Sequence, residues 1–428
     1  MAAPAKLPLQ PWMTAPETRA VVAALTARGT EVRFVGGCVR DAALGRPVTD
    51  IDIATPDPPE TVTALLHAAR IKVVPTGLKH GTVTAVVKGT AFEITSLRRD
   101  VETFGRHARV EFTDDWAADA ARRDFTMNAM FLGIDGTLYD PFGGLADLKA
   151  GRVRFVGDPR QRIMEDVLRL LRFFRFHARY GRGAPDPEGL AACRDLAHLL
   201  PTLSAERVRD ETLKLLGAPA PAEVLRLMAR EGILDRYLAE ARDFDRLEAL
   251  CRLPPERAAP DPLRRLAAVL DVDGDGARAV GARLRLSNAE IKRLAAIREL
   301  IADFTPPADA RARRRWLYRH GADLYVDLIL LYWAAQGEPA PGDEGLARRF
   351  AAELDAAAAW RRPELPVKGP DVMALGVPSG PAVGRLLQRL EAWWIARDFR
   401  ASREEALAHL SALAAKAAKA PSRRRKPH

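Results

Sequence analysis

Several signals are missing from this chain of 428 residues. It has three cysteines, Cys38, Cys193 and Cys251, far apart and without zinc-type spacing. That excludes a disulfide framework and points to a reducing compartment. None of the eight histidines precedes an aspartate, so a His-Asp metal phosphohydrolase is unsupported. The dinucleotide fingerprint G-x-G-x-x-G is absent. The most apolar run, LYVDLILLYWAA, is too short to span a bilayer and contains Asp327. The first residues, MAAPAKLPLQPWMTAPE, lack the charged-then-apolar pattern of a signal peptide. No membrane association and a cytoplasmic location are the expectation.

What is present is charge and organisation. Hydrophobic residues make up 48% and charged residues 29%, the balance of a soluble globular protein. A net charge of +10 favours an anionic partner such as nucleic acid, although an Arg-rich surface that only solvates the chain has the same sum. To about Gly157 the sequence mixes strand and helix signals. Strands are expected at EVRFVGG, DIDIAT, IKVVPTG and on both sides of Lys88-Gly89, and again around the Asp135-Gly136 turn. PPETVTALLHAAR starts a helix with proline, and DDWAADAARRDFTMNAM has helical spacing behind an Asp cap. RRDVETFGRHARVEF is polar and reads as a mobile loop. From Asp158 onward the pattern is helical, and the end, AAKAAKAPSRRRKPH, carries six basic residues and no acid.

The stretch GGCVRDAALGRPVTDIDIAT, residues 36–55, carries the chemistry. Strand side chains alternate, so Asp50 and Asp52 share one face while Ile51 and Ile53 take the other. Two neighbouring carboxylates repel unless a cation lies between them, and a hard divalent ion such as Mg²⁺ suits oxygen ligands and substrate phosphates. Taken alone, the pair also fits a solvated edge strand. Gly36 and Gly37 lie where a strand turns into a helix, and glycine lets backbone N–H groups approach a phosphate. Arg40 follows on the first turn, placed for triphosphate oxygens or for a bond to Asp41.

With these residues in hand, GGxVRD…LG…DxD resembles the head of the tRNA nucleotidyltransferase/poly(A) polymerase family, a branch of the DNA polymerase beta-like nucleotidyltransferases. The resemblance implies an α+β head with that fold, spanning residues 1–157, then an all-helical neck with a base-reading helix (158–215), an RNA-binding body (216–362) and a tail (363–428). It implies that Asp50 and Asp52 hold catalytic Mg²⁺, with Glu93 a candidate third acid. ARRDFTMNAM resembles the second motif, in which Arg123 and Asp124 fix the ribose and phosphates; an exposed helical charge cluster of Arg122 and Asp124 would read the same way. YDPFGGLADL resembles the third, with Asp140, Gly143 and Gly144 structural.

EDVLRLLRFFRF places Asp166 and Arg169 three apart, neighbours on a helix surface, with Arg172 and Arg175 continuing the series. An amphipathic helix with an internal ion pair has the same spacing. In the family the matching Asp and Arg read the incoming base, and Arg172 and Arg175 would then lie nearer the triphosphate. A carboxylate accepts and a guanidinium only donates, which complements the amine and bare ring nitrogen of both cytosine and adenine. Gly37, Arg40, Arg123, Asp166, Arg169, Arg172 and Arg175 are thus the expected nucleotide-binding set.

RRDVETFGRHARVEF resembles the family's flexible loop, which enzymes that add only CC typically shorten, and LPVKGPDVMALGVPSGPAVGRLLQRL resembles a C-terminal element of its bacterial members. The implied reaction is template-independent addition of C, C and A to the tRNA 3′ end from CTP and ATP, with grip on the acceptor and T arms. Poly(A) polymerase shares every catalytic residue, but the GRRFRxxH-like segment usual in the bacterial form is missing. A partial enzyme adding only CC or only A is a further rival, and so is a non-catalytic RNA-binding protein on the same head.

Overall fold

The computed structural model describes residues 5–77, 81–104, 107–337 and 344–419. The first part is a seven-stranded sheet with flanking helices. Its strands are β1 (Arg33–Val35), β2 (Ile51–Thr55), β3 (Lys72–Gly77), β4 (Thr82–Val87), β5 (Thr90–Ser96), β8 (Phe131–Gly133) and β9 (Leu138–Tyr139), in spatial order β3-β4-β5-β2-β1-β8-β9. A separate hairpin pairs β6 (Arg98–Phe104) with β7 (His107–Phe112). The strand that carries Asp52 is central, parallel to β5 and antiparallel to β1. Isoleucines 51 and 53 are buried beneath it, as the alternation predicts. Lys88 and Gly89 both have positive φ, the two-residue turn that matches the twist of a hairpin.

Two expectations need correction. The polar loop at 98–112 is the β6–β7 hairpin, with Arg99 paired to Glu111 across it at 2.7 Å. Val, Thr and Phe alternate there with charges, a period-two pattern masked by high polarity. Gly105, Arg106 and the basic end 420–428 lie outside the described residues. The helix expected across 114–130 runs only from Trp116 to Ala121, behind the Asp115 cap. Beyond it, the Asp124 carboxylate accepts from Phe125 N at 2.9 Å, a local bond that competes with helix continuation.

Helix Pro159–Glu165 is followed by Leu168–Tyr180, whose apolar face joins the head. Phe173 stacks on Phe155 with centroids 5.5 Å apart, and Phe176 meets Phe125 at 5.1 Å. Helix Ala205–Leu216 packs against Leu168–Tyr180. The chain divides into two compact units. The first holds Met1–Cys251, Pro260–Val272 and Arg278–Ile291; the second holds Arg252–Ala259, Asp273–Ala277 and Lys292–His428. Head and expected neck therefore share one unit. In the second, helix Ala322–Ala335 buries Asp327 completely against Arg293, with bonds of 2.7 Å to both oxygens. Its helices Pro381–Ala396 and Arg403–Lys419 enclose Leu386, Leu390, Ala406 and Leu410. Among the described residues no helix is long and apolar enough to cross a membrane.

Candidate active site

Asp52 stands half-buried on β2, in register with Glu93 of β5, and Asp50 lies exposed one residue ahead of the strand. Burial first, then the charge of Glu93, pushes the Asp52 carboxyl up to about 6; Arg123 opposes the rise and Asp50 adds to it. Among the described residues its carboxylate has no hydrogen bond or ion pair. Negative charge is thus gathered here and only partly offset by Arg123 and Arg40, which suits a divalent cation. No group of three or more metal-ligating side chains forms among the described residues. Two carboxylates with the remaining positions left to phosphate oxygens and water are the donor set Mg²⁺ accepts.

Gly36, more than Gly37, is the residue the turn requires. It caps helix Gly37–Ala43 at φ 73 and ψ −124, a conformation that strains any L-residue with a side chain. A Cβ there would lie 3.6 Å from Asp52 Oδ2 and 3.8 Å from Arg123 Nη1. Gly37 opens the helix with ordinary φ. Arg40 donates to Asn128 Oδ1 at 2.6 Å and to Asp41 at 3.4 Å, and its guanidinium faces the Tyr180 ring at 4.5 Å.

The second motif is held from below by Asp119, 1% exposed, which accepts from Arg122 Nε at 2.8 Å and from Arg123 Nη2 at 2.8 Å. Burial would raise the Asp119 carboxyl, but Arg123 and Arg122 outweigh it and hold it low. Asp124 is buried, so it is no exposed charge cluster. It accepts from Asn128 Nδ2 at 2.9 Å and from Arg172 Nε at 2.7 Å. Burial raises this carboxyl too; Arg172 and then Asn128 overcome that and bring it to about 2. A continuous chain results: Arg40, Asn128, Asp124, Arg172.

Asp166 and Arg169 are not neighbours on one helix. The backbone breaks at Asp166, with φ −150 and ψ 104, and the next helix starts at Leu168. The freed carboxylate accepts from Leu168 N at 3.1 Å and from Arg207 Nη2 at 3.0 and 2.8 Å. Arg169 is fixed separately, donating to Arg162 O at 2.9 Å, Glu165 Oε2 at 2.7 Å and Arg122 O at 3.1 Å. Both nevertheless line one cleft of about 410 Å³, with Gly36, Gly37, Arg40, Arg123, Asp124 and Arg172. Arg175 is not among its lining residues; it pairs with buried Glu211 and covers the Phe176 ring at 4.3 Å. Sequence reasoning missed Asn128, Asp119, Arg207 and Glu211. The first two lie inside quoted motifs, whereas nothing local marks the others.

Comparison with known proteins gives the family. A family model described as Poly A polymerase head domain matches residues 32–154, and one described as Probable RNA and SrmB- binding site of polymerase A matches residues 184–244. The chain is 36% identical to the CCA-adding enzyme of Geobacillus stearothermophilus over 382 residues, 87% of this chain and 91% of that one. It is 37% identical to the mitochondrial CCA tRNA nucleotidyltransferase 1 of Danio rerio, covering 89% and 87%. The crystal structure of Bacillus stearothermophilus CCA-adding enzyme in complex with CTP superposes with a TM-score of 0.74 at 31% identity, over 96% of this chain and 100% of that one.

Proposed function

The chain belongs to the tRNA nucleotidyltransferase/poly(A) polymerase family, and from that premise we propose that it adds the 3′-terminal CCA to tRNA from CTP and ATP without a template. The tRNA 3′-hydroxyl attacks the α-phosphorus, a phosphodiester forms, the bond to the β-phosphate oxygen breaks, and pyrophosphate leaves. Asp50 and Asp52 hold Mg²⁺, which when bound steadies the charge on the attacking and leaving oxygens. Arg40, Arg123 and Arg172 hold the nucleotide, with Gly36 and Gly37 keeping the turn clear of side chains. Arg175 acts through Glu211, which also lies 3.9 Å from Arg172 Nη1.

Base choice falls to Asp166 and Arg169. The carboxylate accepts from the exocyclic amine of cytosine or adenine, and the guanidinium donates to the bare ring nitrogen. Uracil and guanine present the reverse pattern, which a buried polar site rejects by roughly 10⁴-fold. Supporting this reading above all is that both residues line the same cleft as Arg123, each anchored by partners that leave donors and acceptors unspent. The basic part beyond residue 215 grips the acceptor and T arms by phosphate and shape, so affinity falls steeply with salt. The reaction belongs in the cytoplasm.

The experiment is incorporation on tRNA lacking its 3′ end, with CTP and ATP both supplied. Ordered C, C, A addition that then stops is expected. Long A tails on any RNA would establish poly(A) polymerase instead, and arrest after CC a partial enzyme.

A further inference from the structure

A second cavity, of about 480 Å³, opens in the head and shares no lining residue with the nucleotide cleft. Trp116, Tyr139, Phe131, Leu138 and Pro141 give it apolar, largely aromatic walls, and Arg33 is the one cation among its lining residues. Both its size and its sparse polar content are those of a small-molecule site.

Arg33 is built into position. It projects from β1, is 9% exposed, and its guanidinium lies 4.1 Å from the Trp116 ring centroid and 3.5 Å from that of Tyr139. The two rings therefore occupy its π surface and leave its edges for hydrogen bonds. One edge is taken: Glu31 accepts from Nε at 2.7 Å and from Nη2 at 3.0 Å. Nη1 has no acceptor among the described residues. Asp140, at the cavity, is committed elsewhere, accepting from Gly144 N at 2.7 Å and Leu145 N at 2.9 Å.

We infer that this cavity binds a small planar aromatic carboxylate, its ring against the aromatic walls and its carboxylate on the open edge of Arg33. A guanidinium edge matches the planar fork of a carboxylate. With Glu31 and Asp140 close by, a single negative charge is the most the site accepts, which excludes a nucleoside triphosphate. Apolar walls disfavour a bare inorganic anion.

The test is calorimetric titration of the full-length chain with 2-naphthoate and with its neutral amide, 2-naphthamide. Saturable one-to-one binding of the acid is expected, with the amide weaker by about tenfold or more. Arg33→Met should weaken the acid by a similar factor while CTP incorporation is retained, and saturating CTP should not displace the probe. Absence of saturable binding, equal affinity for acid and amide, or one-for-one displacement by CTP would each overturn the inference. Should Arg33→Met fail to fold, the acid–amide comparison on the unaltered chain still decides.

Discussion

Arg207, on the helix Ala205–Leu216, donates from one nitrogen to both carboxylate oxygens of Asp166, at 3.0 and 2.8 Å. The two are 41 residues apart in the chain. A carboxylate so clamped keeps its remaining lone pairs aimed one way, which is what an acceptor-only base reader needs.

Arg207→Met should therefore loosen base choice without removing chemistry. The ratio of kcat/KM for CTP over UTP is expected to fall by about tenfold to a hundredfold, the worth of one charge-assisted bond. Asp166→Asn should lower the same ratio, and the double variant should be little worse than either, because both act through one carboxylate. Single-nucleotide incorporation with each triphosphate measures it. An unchanged ratio in Arg207→Met would show that Asp166 is held by its own helix junction alone.

How much of this was legible beforehand depends on the range of each interaction. The Ile51, Asp52, Ile53 alternation is local, and β2 keeps it, whereas Asp50 lies one residue ahead of the strand. The break at Asp166 was hidden because an aspartate three before an arginine satisfies a helical period as well as a cap. Its cause is tertiary: the carboxylate is drawn to Arg207, which reads in isolation as one more charge on an amphipathic helix. Arg175 raises the same issue of range. Its spacing from Arg169 and Arg172 suggested a shared ligand, whereas buried Glu211 claims it.

The Asp52 carboxyl gives a pH prediction. Its value is raised from 3.8 to about 6, so between those values the folded chain binds a proton that the unfolded chain does not. Stability from this group accordingly falls as pH rises through that window, and ionised Asp52 is a net cost above it. Asp52→Asn, melted in EDTA, should gain stability over the parent at pH 7.5 and lose that advantage by pH 4, while nucleotide addition disappears at every pH. In the parent, apparent divalent-metal affinity should drop as pH falls below about 6, because the proton competes for the same oxygens.

Asp124 has the opposite sign. Its carboxyl is lowered to about 2, so its contribution is complete above the ordinary value and is lost only as pH falls towards 2. Asp124→Ala leaves the Arg172 guanidinium without its main partner and breaks the chain to Asn128 and Arg40. A loss of about 3–5 kcal/mol in urea denaturation is expected. Replacing Asp124 and Arg172 together by apolar residues should cost less than the single change, since no unpaired charge is left behind.

The two glycines of the opening turn separate backbone need from space. At Gly36 the nearest atoms to an added Cβ, Asp52 Oδ2 at 3.6 Å and Arg123 Nη1 at 3.8 Å, are at ordinary contact distance. Alanine there would not clash, but φ 73 with ψ −124 is strained for any side chain, at about 1–3 kcal/mol. The methyl would also stand between the acid and the arginine, where the triphosphate is expected to lie. Gly36→Ala should thus lower both melting temperature and kcat. Gly37 has helical φ, and its Cβ would meet only Arg40 Nη2 at 3.6 Å. There alanine introduces no backbone strain, so Gly37→Ala should melt at or above the parent. A fall in its CTP affinity with stability intact would show that the Gly37 N–H is needed bare against the phosphates; unchanged affinity would assign that task to Gly36 alone.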